Sequence, residues 1–200
     1  SSEQEALGHR SVQEFSSYLR DLVADRRKHP GNPEQDVLTR LIQGESSAHN
    51  TEVLSEVELL QNCIFLLNAG HETTTNLIGN ALVCLLEHPM QKAMLLNDIQ
   101  AARLAKQEDQ VQQILNTAVD EFLRFEASNQ LGNRRAVHPT QIGGVDLPEG
   151  ALVTLCIGAA NRDPAQFANP ESLDLKRTDN RHLSFGFGVH QCAGLSLARL

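Results

Sequence analysis

Residues 184–194 read SFGFGVHQCAG and run directly into LSLARL at residues 195–200. Glycines permit tight backbone turns and the close approach of a ligand. The apolar residues that follow predict a helix, whose N-terminus carries unpaired N–H groups and partial positive charge. Both features stabilise a thiolate, which is the form of cysteine that binds metal. Residues 184–194, the cysteine loop, are therefore predicted to hold the sulfur of Cys192 against a large, flat ligand.

The cysteine loop has three other interpretations. An isolated cysteine is often only a small buried hydrophobe beside a turn. A phosphate-binding loop is disfavoured because Gln191 replaces the third glycine of the pattern that Gly186 and Gly188 begin, and no Lys-Ser/Thr pair follows. A zinc site is disfavoured because zinc ligands usually come in closely spaced pairs such as C-x-x-C, which the sequence lacks. The ligand types present for zinc are His182, His190 and Cys192.

The same stretch resembles the haem-ligand loop of the cytochrome P-450 family, F-G-x-G-x-H-x-C-x-G followed by a helix that carries A-R. The resemblance implies haem b as the cofactor and Cys192 as the metal ligand, an axial thiolate that favours O–O cleavage. It also implies that Phe185, His190 and Gly194 belong to the cofactor-binding site. The matching positions are Phe185, Gly186, Gly188, His190, Cys192, Gly194, Ala198 and Arg199.

The longest helix is predicted over residues 56–87. Ser55 and Glu58 form a capping box at its start, and the His88-Pro89 step ends it. At the standard rise per residue the helix is about 48 Å long. Its two flanks are apolar nearly all round, which predicts that the helix is buried in the core of a domain.

The middle of this helix breaks the apolar pattern with NAGHETTT at residues 68–75. One interpretation is a kinked core helix, because the Thr73 hydroxyl can bond the carbonyl four residues back. The other is a ligand site, since small Ala69 and Gly70 leave room beside polar side chains. The segment resembles the family's oxygen-binding helix, A/G-G-x-D/E-T-T/S. That resemblance implies that Glu72 and Thr73 are catalytic and relay protons during dioxygen cleavage.

Glu121 and Arg124 lie three residues apart on a predicted helix and are neighbours on its surface. An exposed pair of this kind contributes little to stability. Here the pair resembles the family's E-x-x-R motif, which implies a structural role in holding the core around haem together with a downstream arginine. Residues 161–164 and 169–170 resemble the downstream region, and the arginine is either Arg162 or Arg177.

Further haem contacts are implied by position in the family pattern. Arg134 resembles the arginine that pairs with a haem propionate, and the adjacent Arg135 fits the same role. His182 and His190 fall where family members contact propionates, although lone histidines are otherwise usually surface or satisfied core residues. Ser128 stands where the family often has proline, a departure that is expected to touch no catalytic group.

Periodicity and turn residues predict the remaining elements. The first helix is expected to begin with a capping box at Ser11. A polar loop is expected at residues 44–51 and a turn at 131–133. The other predicted helices cover residues 11–28, 36–42, 90–105 and 109 or 110 to 125, and the predicted strands cover 134–137, 140–145 and 151–157, with turns at 143–144 and 147–150.

Composition bounds the class of protein. The 200-residue chain has a net charge of −8 and no basic stripe with interleaved aromatic residues, which disfavours a nucleic-acid partner. No run of about 18 apolar residues predicts a membrane span in this portion. The four cysteines lie far apart in apolar contexts, a pattern typical of a reducing, cytoplasmic environment rather than of a disulfide framework.

We expect a mainly α fold with a minor β-sheet, similar to the cytochrome P-450 fold and truncated at both ends. Residues 1–200 are expected to be the C-terminal portion of a single haem-thiolate domain whose N-terminal half is absent. The resemblance to the soluble bacterial branch implies a monooxygenase that inserts one atom of O2 into a small, mostly apolar substrate. It implies electrons from NAD(P)H, delivered through a reductase and a ferredoxin or flavodoxin.

Three alternatives stay open at this point. A haem-thiolate enzyme that uses peroxide or rearranges its substrate needs no acid–alcohol pair, so Glu72 and Thr73 count against it. A non-enzymatic haem-binding sensor would bind haem without oxidising NAD(P)H. In the third alternative, residues 1–200 alone are inert because half a haem pocket does not fold.

Overall fold

A computed structural model describes residues 2–44 and 54–200. The chain is mainly helical with two small antiparallel sheets, so the expected fold class is confirmed. It divides into two compact units, Ser1–Ala69 and Gly70–Leu200. The α-helices are α1 (Ser2–Lys28), α2 (Val37–Gln43), α3 (Glu56–Glu87), α4 (Pro89–Leu104), α5 (Glu108–Phe125), α6 (Ile157–Ala160) and α7 (Leu195–Ala198); a 3-10 helix covers Gly188–His190, and the strands are β1 (Leu131–Arg135), β2 (Thr140–Ile142), β3 (Val145–Leu147) and β4 (Leu152–Cys156).

The first unit is a small cluster of helices. Leu19 and Val23 of α1 pack with Leu59 and Leu60 from the first turns of α3, and all four side chains are buried. Helix α2 begins one residue later than predicted because Asp36 is its N-cap and accepts a hydrogen bond from the Leu38 N–H. The polar loop predicted at 44–51 lies outside the described residues, apart from Gly44.

Helix α1 is longer than the sequence pattern predicts. It begins at Ser2, so the prediction that it begins with a capping box at Ser11 is wrong. Residues 3–7 are glutamate, glutamine, alanine and leucine, which are good helix formers. Glu3 and Glu5 lie in the first turn, where negative charge complements the helix dipole. The earlier residues therefore continue the helix although they lack an apolar stripe.

The predicted bounds of α3 are confirmed, and so is its capping box. The Ser55 N–H donates to Glu58 Oε2 at 2.8 Å, and the Glu58 N–H donates to Ser55 Oγ at 3.3 Å. Hydrogen bonds from the Ser55 side chain and backbone hold the pKa of the Glu58 carboxyl below its usual value. None of the helices among residues 2–44 and 54–200 is long and apolar enough to cross a membrane.

The prediction that the flanks of α3 are buried is wrong for the described chain. Phe65 is 67% exposed, Ile78 59% and Leu86 72%. Leu77 and Cys84, by contrast, are buried in the core of the second unit. An apolar helix is buried only where neighbouring elements cover it, and the elements within each unit cover only part of the circumference of α3.

The core of the second unit joins α3, α4 and α5 to the segment before the cysteine loop. The amphipathic face of α5 supplies Ala118, Phe122 and Leu123, which lie at helical spacing. The buried members of this core are Leu77, Cys84, Leu95, Ala118, Phe122, Leu123, Leu173 and Leu175.

The two sheets are hairpin-like pairs, β1 with β4 and β2 with β3. The predicted turn at 131–133 is wrong, because these residues begin β1 and pair with residues 154–156 of β4. A side chain at Gly132 would contact Ile157, so the glycine marks a close approach rather than a turn. The predicted turn at Gly143-Gly144 is confirmed by φ angles of 57° and 82°, which favour glycine.

Candidate functional site

Two opposite charges are buried near the C-terminus of α5. Glu121 and Arg124 are 0% and 1% exposed. Arg124 Nε and Nη2 each donate to one carboxylate oxygen of Glu121 at 2.8 Å. Further N–H groups of Arg124 donate to the backbone carbonyls of Asn161, Pro170 and Ser172. A buried ion pair is tolerated only with such complete hydrogen bonding, so this pair is not the weak surface pair that spacing alone suggests.

A downstream arginine completes this charge network. Arg177 Nε donates to Glu121 Oε2 at 3.0 Å, and the Asp174 N–H donates to Glu121 Oε1 at 2.9 Å. Arg162 instead donates to Glu126 at 3.0 Å. Of the two candidates that the sequence leaves open, Arg177 is therefore the one that contacts Glu121.

Asn161 joins the charge network to the cysteine loop. The residue is 0% exposed, and its carbonyl accepts from Arg124. Its side-chain Oδ1 accepts from the Leu183 N–H at 2.7 Å, and its Nδ2 donates to Ser184 Oγ at 2.9 Å. Ser184 Oγ in turn donates to the carbonyl of Leu123 in α5 at 2.5 Å. One buried amide thus holds the beginning of the cysteine loop against α5.

The middle of the cysteine loop turns on two glycines. Gly186 and Gly188 have φ angles of 68° and 75°, a region that costs other residues energy. The Cys192 N–H donates to the Phe185 carbonyl at 2.8 Å and closes the loop. Cys192 is exposed and carries a free thiol. The loop therefore presents its cysteine outward from a backbone that is fixed at both ends.

His182 lies beneath the cysteine loop in contact with an acidic residue of α5. Its Nδ1 accepts from the Ser184 N–H at 3.3 Å, so its Nε2 carries the proton and donates to Asp120 Oδ1, also at 3.3 Å. Arg199 Nε donates to the same oxygen at 2.8 Å and lies over the Phe185 ring. Burial acts to raise the pKa of Asp120, but the hydrogen bonds from His182 and Arg199 outweigh it and hold that pKa below its usual value.

The predicted acid–alcohol pair lies on α3 in the second unit. Glu72 is exposed and Thr73 is half-buried. The Thr73 carbonyl accepts a hydrogen bond from Ser128 Oγ at 2.6 Å. Ser128 therefore contacts the backbone of one of the two residues that are predicted to be catalytic, because a serine carries a hydroxyl donor that a proline at this position lacks.

The other predicted cofactor residues lie on β1 and in the cysteine loop. Arg134 is exposed, and its Nη1 donates to the Asn133 carbonyl at 2.8 Å. His190 is exposed at the end of the 3-10 helix. Gly194 precedes α7, and a side chain there would contact the Cys192 sulfur. As contacts to a cofactor, all three stay predictions.

Two residues of the site carry no sequence signal that singles them out. Asp120 precedes Glu121 on α5 and is indistinguishable by pattern from a solvated charge. Ser184 resembles any polar residue before a glycine turn. Asn161 had a weak signal, since it follows the apolar run of α6 within the region that resembles the arginine partner segment. Their roles depend on contacts between 22 and 79 residues apart in sequence, which local patterns do not reveal.

Both the sequence and the structure of this chain are similar to those of known proteins. The family described as cytochrome P-450 matches residues 1–200. The biotin biosynthesis cytochrome P-450 of Bacillus subtilis is 41% identical over 184 residues, which are 92% of this chain and 42% of that protein. The polyketide biosynthesis cytochrome P-450 PksS of the same organism is 36% identical over 195 residues, 97% of this chain and 44% of that protein.

Solved structures of cytochrome P-450 proteins are also similar to this chain. The crystal structure of the P-450 BioI, in complex with an acyl carrier protein that bears hexadec-9Z-enoic acid, has a TM-score of 0.77 at 40% identity and covers 93% of this chain. This chain covers 43% of that structure. The structure of PksS has a TM-score of 0.79 at 35% identity, covering 100% of this chain and 47% of its own. The chain spans less than half the length of these relatives, and it belongs to the cytochrome P-450 family.

Proposed function

We propose that this chain is the C-terminal portion of a haem-thiolate monooxygenase domain, with Cys192 as the axial ligand of haem b. The observation that carries the proposal is the exposed Cys192 thiol on a glycine-turned loop, which Asn161 and Ser184 tie to a buried charge network. Membership of the family supports it. The rigid attachment matters because a metal ligand must be held in place by its surroundings.

The residues that we assign to the cofactor have a chemistry that fits haem. A thiolate is one of the established axial ligands of haem iron. Phe187 and Val189 are 86% and 97% exposed, so the cysteine loop offers apolar side chains to a flat, apolar ring. Arg134 has an exposed guanidinium, which is always charged and suits a propionate. His182 donates to Asp120, so we assign it to positioning the loop and leave the propionates to Arg134 and His190.

The proposed reaction is a monooxygenation. The chemistry that haem supplies when bound is the reductive cleavage of dioxygen. Overall, substrate, O2, NAD(P)H and one proton give oxygenated substrate, water and NAD(P)+. One oxygen atom enters the substrate, while the other takes up two protons and leaves as water. The protein must therefore deliver protons as well as bind the substrate.

Glu72 and Thr73 are the residues that we assign to proton delivery. Successive helix residues point about 100° apart, so adjacent side chains can face different surroundings. Glu72 is exposed to solvent, and the half-buried Thr73 lies one residue further along α3. A carboxylate followed by an alcohol can pass a proton from solvent toward a drier site.

The substrate, electron donor and full extent of the protein are further parts of the proposal. An apolar small molecule suits the family's pocket, since ligand pockets are mostly apolar. We assign electron supply to a ferredoxin or flavodoxin and an NAD(P)H-dependent reductase. The exposed flanks of α3, such as Ile78 and Leu82, support the view that further parts of the same domain cover them in the whole protein.

A spectrum and a variant of the full-length protein test the proposal together. We expect the reduced protein with carbon monoxide to show the red-shifted Soret band of a thiolate-ligated haem. We expect Thr73→Ala to lower the product formed per NAD(P)H consumed by about tenfold or more. Without correctly delivered protons, electrons from NAD(P)H reduce O2 without oxygenating the substrate. The measurement compares product yield with NAD(P)H consumption in the presence of the redox partners.

Three outcomes would contradict parts of the proposal. Absence of the red-shifted band would exclude a thiolate ligand. Turnover with added peroxide but not with redox partners would favour the peroxide-using alternative. A normal spectrum without NAD(P)H-dependent oxidation of any apolar substrate would favour a haem-binding sensor.

A further inference from the structure

Ser128 makes a hydrogen bond that bridges 55 residues of sequence. Its Oγ donates to the backbone carbonyl of Thr73 at 2.6 Å, a short distance within the ordinary range for O–H···O bonds. Ser128 is half-buried in the segment that follows α5. The bond therefore connects the end of α5 to the middle of α3, at the residue that we assign to proton delivery.

A second hydrogen bond ties the same segment to α3. Asn80 Nδ2 donates to the Glu126 carbonyl at 3.1 Å. Thr73 and Asn80 are seven residues apart, which places them on one face of the helix two turns from each other. Leu77 lies between them on that face and is buried in the core of the second unit. Residues 126–128 are thus attached to one face of α3 at two points.

The other end of this segment is equally fixed. It begins two residues after Arg124, whose guanidinium is held in the buried charge network. Ala127, between the two hydrogen-bonded residues, is 2% exposed. The backbone around Ser128 is therefore fixed by its own contacts. A hydroxyl on this backbone can restrain the position of the Thr73 carbonyl.

An extra donor on a helix carbonyl has a local effect. The carbonyl of Thr73 has two lone pairs, and in a regular helix it accepts from the N–H of the residue four positions later. A side chain that enters this ladder tilts the carbonyl and bends the helix at that point. The direction of a side chain follows its backbone, so the tilt also sets where the Thr73 hydroxyl points.

We propose that Ser128 is a positioning residue, whose hydroxyl bond to the Thr73 carbonyl orients the Thr73 side chain for proton delivery. This inference rests on the proposed function of Thr73. Proline, which the family pattern often has at this position, cannot donate such a bond. The hydrogen bond from Ser128 to Thr73 is therefore a feature of this chain's sequence and not of the family pattern that has proline at this position.

The test uses the full-length protein with Ser128→Ala and Ser128→Thr. Thr117→Ala is the control, because the hydroxyl of the half-buried Thr117 also donates to a helix carbonyl, that of Gln113, which lies on α5. Product formed per NAD(P)H is expected to fall about fivefold in Ser128→Ala, the factor for loss of one ordinary hydrogen bond. NAD(P)H consumption is expected to stay within about twofold, and Ser128→Thr is expected to restore the coupling.

Amide hydrogen exchange gives a readout that needs no turnover. We expect exchange in residues 73–80 to be about fivefold faster in Ser128→Ala than in the parent, with residues 108–116 unchanged. Ser128→Thr is expected to restore slow exchange, and Thr117→Ala is expected to leave residues 73–80 unaffected.

The outcomes separate this inference from the proposed function. If Thr73→Ala leaves coupling unchanged, the assignment of Thr73 to proton delivery and the positioning role of Ser128 both fail, while the haem-thiolate assignment of Cys192 still depends on the spectrum. If Thr73→Ala uncouples but Ser128→Ala does not, only the positioning role of Ser128 fails, even where exchange becomes faster. Failure of Ser128→Thr to restore coupling would also overturn it, because the hydroxyl would then not be the responsible group.

Discussion

Asn161 connects the charge network to the cysteine loop, and the two regions differ in how far their side chains are buried. Glu121 and Arg124 are almost completely buried, and every oxygen of the carboxylate has protein donors. In the cysteine loop, by contrast, Cys192 and Phe187 are exposed. The Glu121 carboxylate and the Arg124 guanidinium find their hydrogen-bond partners within the described residues, whereas the loop exposes a thiol and apolar side chains. The groups that support the loop are therefore satisfied by the protein itself.

The largest expected effect concerns the loop. Replacing Cys192 with serine in the full-length protein is expected to abolish the red-shifted Soret band in the carbon monoxide difference spectrum, because a hydroxyl does not supply the thiolate ligand. Cys156→Ser is the matched control, since Cys156 is also an exposed, free cysteine. A band that survives in Cys192→Ser and disappears in Cys156→Ser would reverse the assignment.

The second prediction concerns the network. Arg124→Ala leaves the buried Glu121 carboxylate short of its main partner, and we expect the free energy of unfolding to fall by about 3–5 kcal/mol. Arg181→Ala removes an exposed arginine that lies 3.6 Å from Asp179, and a loss of no more than about 1 kcal/mol is expected. Urea unfolding of the full-length protein measures both. Equal losses in the two variants would contradict the distinction between network and surface.

The third prediction tests how rigid the loop must be. Gly186→Ala places a side chain at a φ of 68° and about 3.4 Å from the His190 carbonyl, whereas Gly188→Ala has a φ of 75° but open space around it. The left-handed conformation costs about 1–2 kcal/mol for other residues. We expect haem to dissociate roughly tenfold faster from Gly186→Ala, and less so from Gly188→Ala. Haem transfer to an excess of acceptor protein gives the rates.

The smallest expected effect lies between the two regions, at Asp120. Its pKa is lower in the folded protein, so its stabilising contribution is present above the unfolded value of about 3.9 and is lost as pH falls through the folded pKa. Asp120→Asn is expected to lower stability by no more than about 1 kcal/mol at neutral pH. The difference from the parent is expected to shrink below about pH 4 in urea unfolding.

Asp179→Asn is the control for this prediction, because Asp179 is a well-exposed carboxylate beside an arginine. It is expected to change stability little at any pH. If the effect of Asp120→Asn were constant between neutral and acidic pH, the carboxylate charge would not be its cause.

Local sequence signals identified the elements that local interactions determine. The bounds of α3 follow from a capping box at Ser55 and a proline at residue 89, and both signals lie within a few residues of the helix ends. The glycines and the cysteine of the loop were likewise recognisable, because their spacing is a property of one short segment. The fold class and the family are therefore predictable from the sequence alone.

Features that depend on contacts between residues far apart in the sequence could not be predicted. Nothing near Arg162 or Arg177 shows which side chain contacts Glu121, since the contact spans 56 residues. Residues 131–133 resemble a turn until β4 pairs with them. In the sequence, Ser128 is only a departure from the proline of the family pattern. The fold shows that its hydroxyl donates a hydrogen bond to α3. The exposure of α3 depends on which elements surround it, so it cannot be predicted from the sequence of the helix alone.

The position of Asn161 also bears on how far the effect of a substitution in the cysteine loop spreads. The groups that Asn161 joins, Arg124, Leu183 and Ser184, all lie before the glycines of the cysteine loop. Substitutions after Ser184, at the glycines or at Cys192, leave these hydrogen-bonding groups unchanged. Such variants are therefore expected to alter the proposed ligand site while the buried charge network stays intact.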